Sequence, residues 1–220
     1  MRLDHLSYAA GPDGMEATAA RLGELLGQEF VDGGIHPRFG TRNMTLPLRG
    51  GIYLEVVEPL DHPASDKAPF GQAVKARSAL GGGWMGWVVA TGNMAKVEAR
   101  LGRPWVDGNR HLPDGQELRW KQIGINGLIA DPQLPYFIHW LSDHSLHPGN
   151  AGSDVTLTCI EISGDKHRVE DWLGETDLDE RVDPYTGKPA ENVQIKWVAE
   201  HGTPGLLAAN FRTPQGEVRI

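Results

Sequence analysis

The sequence predicts an α+β protein in which a unit of strand, helix and further strands recurs along the chain. Three observations carry this expectation. The same order of elements appears near residues 3–57 and again near 84–141, which is what an internal repeat looks like. Each unit holds a helix-period apolar stripe that stops at a glycine, Gly27 in the first and Gly102 in the second. Two strings, Leu3-Asp4-His5-Leu6 and Tyr53-Leu54-Glu55-Val56, each set ionisable groups into an otherwise apolar strand.

Taken in order, Leu3 to Ala9 reads as a short strand that Gly11-Pro12-Asp13-Gly14 breaks. Met15 to Leu26 reads as a helix with Met15, Ala19, Leu22, Leu25 and Leu26 on one face. Strands are expected at Glu29–Asp32, Asn43–Leu48 and Ile52–Val57, with Pro47 restricting the middle one to an edge or a bulge. After a turn-rich stretch, a connecting helix at Phe70–Ala79 leads to Gly81-Gly82-Gly83. The second unit follows: strand Trp84–Ala90, helix Met94–Leu101, strands Leu118–Ile125 and Pro135–Leu141. Asp143 to Ser153 reads as a linker. A third, shorter copy is expected from strand Val155–Ile162, helix Lys166–Leu173 and strands Val193–Glu200 and Leu206–Arg212, with Asp177 to Asn192 an exposed loop. The expected organisation is thus residues 1–150 as two units (about 1–60 and 81–142) and residues 151–220 as a βαββ extension, a third half-unit.

Composition narrows the function classes. A chain of 220 residues with 40% hydrophobic and 23% charged residues has the make-up of a globular protein. With 21 Lys and Arg against 29 Asp and Glu the net charge is −8, so no nucleic-acid partner is expected. No apolar run reaches the ~20 residues of a bilayer span, so no membrane partner is expected either. Strand character from Leu3 onward leaves no leader peptide, and the single cysteine, Cys159, allows no internal disulfide; both fit a cytoplasmic location. Gly81-Gly82-Gly83 precedes a strand rather than a helix and is no phosphate loop.

Repeated strand-helix-strand units carrying these strings resemble the vicinal oxygen chelate superfamily, and most of all its glyoxalase-like domain branch. The likeness rests on Leu3-Asp4-His5-Leu6, on His36 with Gly40-Thr41-Arg42-Asn43, on Tyr53-Leu54-Glu55, and on Pro135-Tyr136-Phe137-Ile138-His139-Trp140, and covers roughly residues 1 to 142. It implies paired βαβββ units whose mixed sheet curves into a cup. It also implies a divalent metal (Fe, Mn, Zn or Ni) held by one residue from the first and one from the fourth strand of each unit. His5 and Glu55 match those positions in the first unit, and His139 matches the fourth strand of the second. The remaining position falls near Gly86 or Trp87, which are not ligands.

Strand alternation then expects Leu3, His5 and Ser7 on one face, Tyr53, Glu55 and Val57 on another, and Phe137, His139 and Leu141 on a third, all toward the cup. His5, Glu55 and His139 form a two-histidine, one-carboxylate metal set with open positions. Without metal, Glu55 in an apolar cup is a candidate catalytic base. His36, Arg38, Arg42 and Asn43 are candidates to orient an anionic or carbonyl group on a substrate, and Trp87 and Trp120 to stack on a flat one. Structural readings stand beside these: a core histidine for His5, turn chemistry for Gly40-Thr41-Arg42-Asn43, core packing for the tryptophans, and an incidental role for His144 and His147 in the linker. The resemblance implies a lyase, isomerase or dioxygenase acting on a small oxygen-bearing organic molecule. The alternatives are a non-catalytic small-molecule binder of the drug-resistance type and a metal-free paralogue. An unpartnered third unit raises a homodimer as the expected assembly.

Overall fold

The computed structural model describes residues 1–174, 182–187 and 190–220. The first unit runs β1 (Arg2–Ala9), α1 (Met15–Leu26), β2 (Val31–His36), β3 (Thr41–Pro47) and β4 (Tyr53–Pro59). Helices α2 (Pro63–Lys67) and α3 (Pro69–Ala79) lead to the second unit: β5 (Gly83–Ala90), α4 (Met94–Leu101), β6 (Val106–His111), β7 (Glu117–Ile123), the short α5 (Gly127–Ala130) and β8 (Tyr136–Trp140). The extension is β9 (Thr156–Ser163), α6 (Lys166–Leu173), β10 (Gln194–Ala199), β11 (Gly205–Thr213) and β12 (Gly216–Arg219). Each unit is therefore complete at four strands; β6 and β12 were not legible in the sequence. No helix among the described residues is long and apolar enough to cross a membrane.

The two units close into one eight-stranded barrel in the order β1-β4-β3-β2-β6-β7-β8-β5. Within each unit the first and last strands pair in parallel, and the units join antiparallel at β1–β5 and β2–β6. The β2–β6 seam depends on Gly34, whose φ is 94° at a register shift; a Cβ there would lie 1.9 Å from the His111 carbonyl oxygen. Pro47 does not make β3 an edge. The strand sits between β2 and β4, and Pro47 lies past the last β2 pair, Val31 with Thr45, where no β2 partner is needed.

Helix α1 buries Met15, Ala19, Leu22 and Leu26, while Leu25 is 55% exposed, because the stripe needs only one residue per turn at this position. Gly27 and Gly102 both terminate their helices in the left-handed conformation, as expected of glycine.

Two apolar cores result. One fills the barrel, with Tyr53, Val57, Val88, Trp120, Tyr136, Ile138 and Trp140, and takes Phe70, Ala73 and Val74 from α3. The other lies outside it, where Leu3, Trp87 and Val89 of β1 and β5 meet Ile160 and Ile195 of the extension. The extension forms its own sheet in the order β10-β9-β11-β12. It repeats the element order of a unit but not its pairing. The parallel neighbour of β9 is β10, the strand directly after the helix, rather than the last strand.

Candidate active site

Parity along the strands decides what enters the barrel. In β1 the register against β5 slips between Leu3 and His5, so Asp4 and His5 together oppose Val88. This bulge leaves Leu3 in the outer core and lets Asp4 and His5 both be buried on the inner side, where Asp4 bonds the inward indole of Trp140. Beside them Ser7 stands in register with Glu55 of β4. Glu55, Tyr53, His5, Arg110, Tyr136 and Trp120 line a narrow cavity, its other walls including Phe39, Phe70, Gln122 and Ile138. Polar groups grouped in an otherwise apolar enclosure are the usual make-up of a small-molecule site.

The polar groups are tied into one network. Ser7 Oγ donates to Glu55 Oε1 at 2.6 Å, and Asn43 Nδ2 donates to Oε2 at 2.8 Å. His5 Nδ1 donates to Asp4 Oδ1 at 2.8 Å, which turns Nε2 toward the Tyr136 hydroxyl at 3.1 Å and Glu55 Oε1 at 3.8 Å. The imidazole is stacked on Tyr53 with ring centroids 4.4 Å apart. Asp4 also accepts from the Trp140 indole N–H at 3.3 Å and from His147 Nε2 at 3.1 Å, and the Arg2 guanidinium lies 3.6 Å away. The His147 tautomer follows from its neighbours: Nδ1 accepts from the Gly149 amide, so the proton sits on Nε2.

Burial and charge act together on these groups. Burial pushes the Asp4 carboxyl up, but His147, His5 and Arg2 outweigh it and hold the carboxyl well below its ordinary range. Burial, reinforced by the nearby Glu55 and Asp4 charges, drives the Tyr136 and Tyr53 hydroxyls well above theirs, so both stay protonated as donors. His36 is pushed well below the usual histidine value by burial and by the Arg110 charge, and burial pushes His147 down despite Asp4. The unfolded chain therefore binds protons at His36 and His147 as the pH falls through about 6.5, and the folded chain does not. Folding stability should decline from pH 7 to pH 5 in urea titrations, and His36→Asn should flatten that decline.

Trp120 owes its place to Gly108 on the neighbouring strand β6. A Cβ on Gly108 would stand 2.3 Å from the indole. Gly108→Ala should cost about 1–3 kcal/mol in urea unfolding by forcing the ring off its seat.

The sequence-derived candidates separate into two groups. His5, Glu55, His36, Asn43 and Trp120 are brought together at the cavity, His36 with Nδ1 on Thr41 Oγ1 at 3.0 Å. Arg38 is exposed in the turn before β3, and Arg42 lies on the outer surface, paired with Glu58 and Glu16. Trp87 points outward under the extension, its indole N–H on the Gln133 carbonyl. His139 is turned out of the barrel, with Nδ1 on the Thr91 carbonyl at 2.8 Å. The reason is parity: Tyr136, Ile138 and Trp140 take the inward positions of β8, so His139 is one residue out of step with Glu55.

The donors present do not fit a divalent metal. Both Glu55 oxygens are engaged, β5 presents Val88 and Met85 to the interior where a further ligand would stand, and the guanidinium of Arg110 shares the cavity. Among the described residues no three His, Cys, Asp or Glu side chains converge as a ligand set. Sequence reasoning passed over Asp4, Arg110 and Tyr136 as site residues and set His147 aside as an incidental linker histidine. Tyr136 stood one residue from a register that could have been tested both ways. Arg110 lies on β6, which carries almost no apolar signal.

A closed barrel of two βαβββ units is the architecture of the vicinal oxygen chelate class. The chain belongs to the glyoxalase-like domain family, whose model matches residues 3–176. Among solved structures, a hypothetical protein from Staphylococcus aureus is similar over 97% of this chain and 92% of its own, at 13% identity and a TM-score of 0.68, a likeness of fold. Methylmalonyl-CoA epimerase from Streptomyces coelicolor, in complex with 2-nitronate-propionyl-CoA, aligns with 64% of this chain and 96% of its own at 16% identity and a TM-score of 0.43. Comparison with curated proteins gave no match.

Proposed function

We propose that the barrel interior binds a small oxygen-bearing organic molecule and moves a proton on it, as an isomerase or lyase does, with Glu55 as the general base. One observation carries this reading: Glu55 Oε1 and His5 Nε2 stand 3.8 Å apart at one apolar-walled cavity, with the Tyr136 hydroxyl held beside them. Glu55 accepts the proton of a carbon next to a carbonyl, and the electron pair of that C–H bond moves onto the carbonyl oxygen. Tyr136, kept protonated by its burial, turns its one hydroxyl hydrogen from His5 Nε2 to the oxygen as its charge develops. His5 positions the phenol, and Asp4 fixes the His5 ring. Returning the proton to a different atom gives an isomer; expelling a neighbouring group gives a lyase product. Dioxygenase chemistry needs a redox metal, for which the described residues assemble no donor set.

A second reading, ligand sequestration, is favoured by the full occupancy of both Glu55 oxygens by Ser7 and Asn43. Proton NMR in D₂O separates the two. The protein is incubated with small 2-oxo acids, 2-hydroxy acids, ketones and aldehydes, and loss of a C–H signal is followed. Exchange supports proton transfer; thermal stabilisation by a compound that never exchanges supports sequestration; neither result in any compound contradicts both.

A further inference from the structure

Arg110 is a buried cation with no carboxylate in direct contact. It is 2% exposed, on β6, and its side chain lines the cavity. Nη1 donates one long hydrogen bond, 3.3 Å, to Asn43 Oδ1, and Nε has no hydrogen-bond partner. Among the described residues it enters no ion pair. Asn43 is the reason: its amide N–H donates to Glu55 while its carbonyl accepts from Arg110, so it spaces the guanidinium from the carboxylate beyond. The neighbouring His36 is held neutral, chiefly by burial, and adds no charge of its own.

Burying an unpaired guanidinium is costly, and truncated pairs of this kind are strongly destabilising. A partner that arrives with the ligand would meet that cost, and a guanidinium fork matches a planar two-oxygen anion. Charge selects among anions. Arg110 and Glu55 offset one another, so a monoanion leaves the interior with one net negative charge, and a phosphate monoester would leave it with about two. Phe39, Phe70 and Trp120 then face the carbon skeleton.

Building on the proton-transfer reading, we propose that Arg110 anchors a single carboxylate of the bound molecule, so that this cavity takes small organic monoacids in preference to neutral carbonyl compounds and phosphates. Arg110 is then the residue that sets substrate class, and Glu55 the residue that reacts.

The test is a thermal-shift titration of the full chain with propionate, 2-oxobutyrate and lactate, with the matching primary amides, and with inorganic phosphate. The acids should raise the melting temperature in a dose-dependent way, and the amides and phosphate should not. Arg110→Lys keeps the charge but loses the fork, and should weaken acid binding about tenfold or more. Arg110→Met should abolish the acid response. Should that variant not fold, the acid–amide comparison on the wild type and the Lys variant still decide. Amides equal to acids, phosphate binding more tightly than acids, no response to any acid, or an undiminished acid response in Arg110→Lys each overturn the proposal. Failure is separable from that of the proton-transfer reading. Exchange of neutral ketones without acid binding removes the anchor alone, and acid binding through Arg110 without any exchange removes the catalysis alone.

Discussion

Replacing Asp4 by alanine should cost about 3–5 kcal/mol of folding stability, the range seen when one partner of a buried ionic cluster is removed. Asp4 is fully buried and accepts from His5, His147 and Trp140 beside the Arg2 guanidinium. The alanine variant strands three buried N–H donors at once. Arg2 keeps its contact with Asp183 at 2.8 Å, which limits the damage on that side. Asp4→Asn keeps the shape and one acceptor oxygen, and should lose less than Asp4→Ala. The pH dependence is set by the sign of the shift. The folded-state pKa of Asp4 lies well below the carboxylate value near 4, so its contribution is complete above about pH 4 and fades as the pH falls through the folded value. The stability gap between wild type and Asp4→Ala should therefore be the same at pH 7 and pH 5 and shrink only below about pH 4. Urea unfolding across that range measures it. A gap that shrinks between pH 7 and 5 would assign the effect to the histidines.

Glu55→Gln should lower proton exchange in a bound substrate by about 10²–10⁴-fold, the usual contribution of a positioned base. The substitution is close to isosteric. Its amide oxygen can still accept from Ser7, while its NH2 group meets the Asn43 N–H donor where an acceptor stood, so folding should be retained at a cost of about 1–3 kcal/mol. Carboxylate binding at Arg110 should persist, which splits the effect between rate and affinity. A variant that binds and exchanges as the wild type does would remove Glu55 from the chemistry.

How much of this was readable follows the apolar pattern of each strand. In β1 and β4 the flanking residues are strongly apolar, so the ionisable groups at His5 and Glu55 stand out and both enter the cavity. The bulge at Asp4 was not readable, because alternation assumes one residue per pair. Strand β5 is apolar on both faces, since the extension covers its outer side, and nothing in Trp84-Met85-Gly86-Trp87-Val88-Val89 marks inside from outside. That is why Trp87 was assigned to the pocket and lies outside it. In β6 the inward positions are Gly108 and Arg110, a cleared space and a charge, and a strand of that composition gives no hydrophobic signal at all. His147 looked like a linker residue because only the closed barrel brings it to Asp4, 143 positions away in sequence.

The most direct measurement is solvent deuterium incorporation into a small carboxylic acid substrate by protein stripped with a chelator, alongside Glu55→Gln. Metal-free proton transfer to Glu55 requires exchange to survive chelation and to vanish in the variant. Exchange that disappears on chelation and returns with a divalent cation, or that continues in Glu55→Gln, would contradict it.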